Sequence, residues 1–311
     1  MEIIRGLNNL KASHRGCVAT IGNFDGVHRG HQVILQRCRE LAQARGLPLL
    51  VITFEPYPEE YFVRGNEPPR LTRFREKLAL LEQQGVSRIF CLRFNQSLAN
   101  MAAEDFIRRV LVDGLDVQHL VVGDDFRFGR QRQGDFAMLC QAGRELGFGV
   151  ENTPTVAIES DRVSSTRVRK ALQAGELAQA AQILGRPYFI CGHVAHGDKR
   201  GRTIGFPTAN IHMHRKVVPL KGVFAVSVQG LGENALPGVA NIGVRPTVDG
   251  SRMLLEVHLF DFEQQIYGRH VQVNFHQFIR AEKKFDGLEA LKQQIAADSE
   301  AARNYFQMQS N

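Results

Sequence analysis

The sequence predicts two unlike domains, a parallel α/β domain followed by an antiparallel β domain with a terminal helix, and three observations carry that expectation. From Cys17 to about Leu184 short apolar runs alternate with longer amphipathic stretches, which is the rhythm of βαβ units. Beyond Arg186 and Pro187 the runs alternate at period two and are separated by turn-rich segments, as in an antiparallel barrel or sandwich. The chain has 311 residues, room for two cores in domains of roughly 150 residues each. The boundary falls at the 185/186 junction, giving domains 1–185 and 186–311.

Each element has its own warrant. CVATIG (17–22) and LPLLVITF (47–54) are continuous apolar runs of strand length, and the segment between them places apolar residues at 34, 35, 38, 41 and 42, one face of a helix. SRIFCLRF (87–94) and HLVVG (119–123) predict two further strands, preceded by the helical stretches LTRFREKLALLEQQG and AAEDFIRRVLVDGL. Strands alternating with helices imply a parallel sheet, with ligands beyond the carboxyl ends of the strands. FAVSV (224–228), LLEVHLFDF (254–262) and HVQVNF (270–275) predict antiparallel strands. A last helix starts near Asp286, a capping residue with Glu289 three positions on, and lines up Leu288, Leu291 and Ile295.

Composition excludes several classes. With 43% apolar and 23% charged residues the chain is neither disordered nor collagen-like. No apolar run approaches the roughly 20 residues of a membrane helix, and the first residues lack the apolar core of a signal peptide, so no membrane partner and no processing are expected. The net charge of +7 divides into +3 for residues 1–185 and +4 for residues 186–311, with no block of like charge resembling a nucleic-acid tail; the charge alone still permits a folded basic face, and no nucleic-acid partner is expected because the basic motifs suit phosphorylated small molecules. Five cysteines without CxxC spacing indicate neither a disulfide frame nor a zinc site and suit the cytoplasm. Composition leaves a homo-oligomer open.

The chemistry gathers in three motifs. GNFDGVHRGHQ (22–32) leads from the first strand into a helix; its glycines allow close approach of backbone to ligand, and the helix amino terminus favours an anion. His28 and His31 can both donate to one phosphate group there. The motif is neither GxGxxG nor a Walker loop. SSTRVR (164–169) brings Ser164, Ser165 and Thr166 to a second helix start with Arg167 and Arg169 beside them, a combination suited to polyphosphate. GHVAHGDKRGRTIGFPTANI (192–211) is rich in glycine and cations, and its Thr208 and Asn210, one residue apart, offer hard oxygen ligands for Mg²⁺ carrying ATP. His193 and His196 have no second ligand pair and are read as loop residues.

Together GNFDGVHRGH, TFEPYP (53–58), VVGDDFRFG (121–129), RQGD (132–135) and SSTRVR resemble the FMN adenylyltransferase module of the bacterial bifunctional riboflavin kinase/FAD synthetase family. GFPTAN, GVFAV (222–226), NIGVRPTV (241–248), LEVHLFDF (255–262) and FIRAEKKF (278–285) follow in the order seen in riboflavin kinases. The resemblance implies a Rossmann-like nucleotidyltransferase domain with a parallel sheet, then a six-stranded antiparallel β-barrel with a C-terminal helix. It implies that riboflavin becomes FMN and FMN becomes FAD, with ATP and Mg²⁺ used in both steps. It assigns Gly22, Asn23, Asp25, His28, His31, Asp125, Ser164, Thr166 and Arg167 to ATP in the first domain, with His28 and His31 catalytic. In the second it assigns Gly192, Val194, Gly197, Lys199, Gly205, Thr208 and Asn210 to ATP, Thr208 and Asn210 to the metal, and Glu256 to the catalytic base. Flavin contacts fall to Phe62 and Arg280. The chain departs from the pattern at Tyr57, where the family commonly has His. Two rival functions fit parts of the pattern: an aminoacyl-tRNA synthetase-like adenylating enzyme, and a flavin-binding regulator without turnover.

Overall fold

The computed structural model describes the chain except residues 64, 66, 196–205, 216, 248–249 and 311, and the side chains of 245–247, 250–252 and 310. The described residues divide into two compact units, the first comprising Met1–Pro68 and Thr72–Ser164, the second Pro69–Leu71 and Ser165–Asn311.

The first unit is a six-stranded, all-parallel sheet in the order β1-β4-β3-β2-β5-β6. Its strands are β1 (Glu2–Arg5), β2 (Cys17–Ile21), β3 (Leu49–Glu55), β4 (Arg88–Arg93), β5 (Val117–Gly123) and β6 (Gly149–Thr153). The central strand β2 is buried along its whole length, as expected of a strand covered on both faces. Helix α1 (Arg29–Arg45) seats Leu35, Cys38 and Ala42 and ends at Gly46, whose φ of 64° gives the left-handed cap that glycine adopts without strain. Then come α2 (Pro58–Phe62), α3 (Phe74–Gln83), α4 (Gln96–Ala99), α5 (Ala103–Phe106) and α6 (Phe136–Leu146). The stretch expected to be one α-helix over residues 102–115 is instead α5 continued by a π-helical segment, Ile107–Val112. Strand order reverses direction at β2, which lies between β3 and β5, so the cleft beyond the carboxyl ends of β2 and β5 is the sheet's switch point. A short hairpin, β7 (Ala157–Ile158) with β8 (Asp161–Arg162), leads to Ser164.

The second unit opens with α7 (Ser165–Gln173) and α8 (Leu177–Leu184) and continues into a closed antiparallel barrel, β10-β13-β12-β11-β14-β9. The strands are β9 (Tyr188–Ala195), β10 (Ala209–His212), β11 (Gly222–Gln229), β12 (Leu236–Thr247), β13 (Gly250–Leu259) and β14 (His270–Arg280). Val194, Ile211, Leu255 and Ile242 form one cross-strand row, Phe224, Ala240 and Val257 another, and all of them are buried. The strand expected to run to residue 262 stops at Leu259. Asp261 takes a left-handed φ of 54°, and the Arg303 guanidinium grips its carboxylate at 2.8 and 2.9 Å, so the FDF segment turns instead of extending.

The terminal helix α9 (Leu288–Ser310) lies against the outside of the barrel, where Ala302, Tyr305 and Phe306 cover Val223, Ala225, Val239 and Phe260. Its inward stripe differs from the expected one, because Leu288 is 59% exposed while Asp298 and Ser299 are buried. Among the described residues no helix is long and apolar enough to cross a membrane.

Candidate active sites

The first site is built on the turn from β2 into α1. Phe24, Gly26 and Val27 all have left-handed φ (50°, 82° and 43°), so the chain reverses within a few residues and delivers His28 to the helix cap. His28 Nδ1 accepts from the backbone N–H of His31 at 3.3 Å, which leaves the ring proton on Nε2. The two imidazoles stack with centroids 3.6 Å apart and planes 14° from parallel. Gly30 makes room: a Cβ there would lie 3.2 Å from His28 Nδ1. Burial, then His28, then the Lys77 ammonium hold the His31 imidazole well below its ordinary pKa, so the ring is neutral at pH 7. Among the described residues its buried Nδ1 has no hydrogen-bond partner, an orphan at a helix amino terminus of the kind an anionic ligand can satisfy.

Gly22, Asn23, Asp25, His28 and His31 are thus brought together. Asp25 supports the turn from beneath: 2% exposed, its Oδ1 accepts from Thr72 N at 2.9 Å and Thr72 Oγ1 at 3.0 Å, and Thr72 Oγ1 accepts from Gly26 N at 3.0 Å. Asp125 follows β5, the neighbour of β2, and pairs with Arg162 at 2.7 Å, while Asp124 accepts from the Thr155 hydroxyl. Val163, next to Ser164, lies 3.7 Å from where a Gly30 Cβ would be, so the end of this loop reaches the α1 amino terminus. Thr166 and Arg167 open α7 in the second unit. Phe62 is 66% exposed and sits edge-on to Tyr61 and Phe94 (5.3 and 5.7 Å), an open aromatic surface beyond β3 and β4. Tyr57, by contrast, is buried.

In the second site Glu256, Asn210 and Asn241 share the outer face of the barrel, while the groove beside Thr208 opens among residues of the inward rows. Glu256 on β13 is in register with Asn210 on β10 and with Asn241 on β12, and directly paired antiparallel residues project to the same side. Leu255 and Val257 point inward, so the carboxylate faces out beside two amides. Thr208 lines a groove with Val194, Pro207, Val257, Leu259 and Tyr267. His258 Nδ1 lies 2.9 Å from the Pro207 carbonyl and pins this segment to β13. Val194 O accepts from Gly268 N at 2.8 Å, which fixes the turn carrying Tyr267. Gly192 lies within β9, where a Cβ would collide with Ile211 Cγ2 (2.6 Å) and His212 O (2.7 Å); its visible role is close strand packing. Gly197, Lys199 and Gly205 lie outside the described residues. The Arg280 guanidinium forks onto Asp298 of α9, Nε at 2.8 Å from Oδ1 and Nη2 at 2.7 Å from Oδ2.

Sequence reasoning missed Lys77, Thr72, Asn241 and Asp298. Lys77 left a signal: it stands on the apolar stripe of its helix, three residues after Phe74 and three before Leu80. Asn241 left a weaker one, a polar residue in period-two alternation with Ala240 and Ile242.

Two known families match successive parts of the chain. The FAD synthetase family matches residues 10–167 and the riboflavin kinase family residues 184–306. The bifunctional riboflavin kinase/FMN adenylyltransferase of Escherichia coli (strain K12) is 53% identical over 307 residues, covering 98% of each chain. The protein of that name from Pseudomonas fluorescens is 54% identical over 304 residues, with 97% of each chain covered. That of Buchnera aphidicola subsp. Acyrthosiphon pisum is 37% identical over the full length of both. Among solved structures, one described as a macrolide-efflux protein from Streptococcus pneumoniae superposes with a TM-score of 0.84 at 31% identity, covering 98% of this chain and 99% of that one.

Proposed function

From the premise that the chain belongs to the bifunctional riboflavin kinase/FMN adenylyltransferase family, we propose that residues 1–185 carry the adenylyl transfer and residues 186–311 the phosphoryl transfer. The enzyme phosphorylates riboflavin to FMN with ATP and adenylylates FMN to FAD, releasing pyrophosphate. The synthetase-like and regulatory alternatives are set aside by that membership. We place the enzyme in the cytoplasm, where ATP and reduced thiols prevail; all five cysteines are free.

In adenylyl transfer a phosphate oxygen of FMN attacks the α-phosphorus of ATP, and the bond to the β-phosphate oxygen breaks. The nucleophile is already anionic, so no base is needed; the demand is for donors at the α-phosphate and at the departing pyrophosphate. His28 Nε2–H and the neutral His31 ring are such donors, joined by the amides of the 22–31 turn. Asn23 and Asp25 act through the turn's shape, and Asp125 and Ser164 serve the same triphosphate; the resemblance assigns Thr166 and Arg167 to ATP as well. Phe62, with Tyr61 and Phe94, offers a stacking surface for the isoalloxazine ring.

In phosphoryl transfer the nucleophile is the terminal ribityl hydroxyl, which must lose a proton as it attacks the γ-phosphorus, and Glu256 accepts it. The observation that carries this reading is the row Asn210–Glu256–Asn241, a carboxylate flanked by two neutral amides on an outward face. The Thr208 hydroxyl and Asn210 carbonyl oxygens are hard donors that fit Mg²⁺, which would neutralise phosphate charge when bound. Val194 and Tyr267 line an apolar groove suited to adenine, while Gly192, Gly197, Lys199 and Gly205 belong to the phosphate segment. Arg280 contributes to flavin binding by fixing α9 against β14.

The test is paired. Glu256→Gln should abolish FMN formation while FAD still forms from added FMN, and His28→Ala with His31→Ala should do the reverse. Equal loss of both activities in either variant overturns the division of labour.

A further inference from the structure

Lys77 is the most deeply buried cation described in the first unit, at 0% exposure on the inward face of α3. Removing an ammonium from water is costly, and well-packed apolar residues are often as stable at such positions. The helix already supplies Leu80 and Leu81 to the same interior, so packing alone does not call for a charge here. Lys77 Nζ donates to the Asn23 carbonyl and to Thr53 Oγ1, each at 3.1 Å, and faces the Tyr57 ring at 4.6 Å. The Tyr57 hydroxyl in turn lies 3.5 Å from Asp25 Oδ1.

These contacts converge on the strained turn. Left-handed φ at three of four successive residues (Phe24, Gly26 and Val27) persists only where surroundings over-determine it. Thr72 holds Asp25 and Gly26, Lys77 holds Asn23, and Gln32 of α1 donates to the Val27 carbonyl at 2.9 Å. The Asn23 carbonyl is thus tied to the interior just ahead of the amides and the two stacked imidazoles of the 22–31 turn. Tyr57 belongs to the same device, since its neutral ring presents a negative face to the ammonium, whereas a histidine there could itself take up charge.

We propose that Lys77, faced by Tyr57, is a positioning residue for adenylyl transfer: its buried ammonium fixes the Asn23 carbonyl and thereby aims the 22–31 turn at the phosphates of ATP. This rests on reading that turn as the adenylyl-transfer site. Lys77→Met removes the charge and keeps the length of the side chain. Its kcat for FAD formation from FMN should fall about 100-fold, the scale of a misaimed group, with a much smaller change in KM for ATP. Riboflavin phosphorylation by the same preparation should be retained. Tyr57→Leu should lower the same kcat, and Tyr57→Phe, which keeps the ring, should lower it several-fold less.

An unchanged kcat in Lys77→Met, in a preparation where His28→Ala is inactive, overturns the proposal. Full adenylylation by His28→Ala would instead overturn the reading of the turn itself. If Lys77→Met does not fold, the tyrosine pair decides: equal rates in Tyr57→Leu and Tyr57→Phe refute the role of the ammonium–ring contact.

Discussion

Exchanging Asp298 for Asn tests how the last helix is held. Asp298 is 3% exposed and receives Arg280 Nε at 2.8 and 3.1 Å, Arg280 Nη2 at 2.7 Å and Gln294 Nε2 at 2.9 Å. Breaking a buried ion pair costs about 3–5 kcal/mol, because the remaining charge stays behind without its partner. The Arg280 side chain is 21% exposed, so water recovers part of that loss, and the asparagine retains a hydrogen bond; a cost of about 2–3 kcal/mol remains. For a unit of this size each kcal/mol shifts Tm by about 2–4 °C, so the barrel transition should move down by roughly 5–10 °C. Calorimetry of the full chain measures it. Arg280→Met combined with Asp298→Leu should restore most of the loss, because an apolar pair suits the surroundings of Ile279, Tyr305 and Phe306. A coupling energy below about 0.5 kcal/mol in the double-mutant cycle would refute the view that this pair clamps α9 to β14.

Asn241→Leu should lower kcat for FMN formation at least tenfold, an effect of about 1.4 kcal/mol, and leave FAD formation from FMN intact; unchanged kinase turnover removes Asn241 from the site. Phe62→Ala should raise KM for FMN in adenylylation several-fold at near-constant kcat, and a KM equal to the parent's rules out stacking there. His31, His119 and His276 are each held below the ordinary imidazole pKa, chiefly by burial, so the folded chain refuses protons that the unfolded chain accepts. Their contribution is complete above about pH 6.5 and declines below it, by up to about 1.4 kcal/mol per pH unit for each ring. Urea denaturation at pH 7.5 and 5.5 measures the slope, and equal stability at both refutes it.

The strongly periodic elements were legible from residue order alone. Leu35, Cys38 and Ala42 announced α1, and the apolar runs announced β2 to β5, because burial on both faces leaves no polar interruption. The edges were not legible: β1 buries only Ile4 and β6 only Thr153, so neither carries the signature of a covered strand. The π-helical run Ile107–Val112 has the composition of an α-helix and differs only in hydrogen bonding. At the sites, motif residues were visible because their chemistry is unusual for a turn. Lys77 and Asp298 were hidden because a charge buried by its tertiary partners looks, in one dimension, like any charge on a helix. Arg280 shows the converse: its motif was plain, while its engagement with Asp298 needed the fold.

Strand β10 has four residues, yet it closes the barrel, with three register pairs to β9 on one side and three to β13 on the other. Among the described residues it is the narrowest seam of the cylinder; Asn210 is one of its stitches, and Thr208 directly precedes the strand. A ligand that grips both residues therefore also tightens the seam. Nucleotide occupancy and resistance to unzipping between β9 and β13 become one thermodynamic quantity, so a proteolytic nick near this strand should be suppressed by ATP in proportion to its binding. Closure also makes the alignment of Asn210 with Glu256 all-or-none: a slip of one residue would turn the carboxylate into the apolar interior, so the barrel permits no intermediate, half-aligned state.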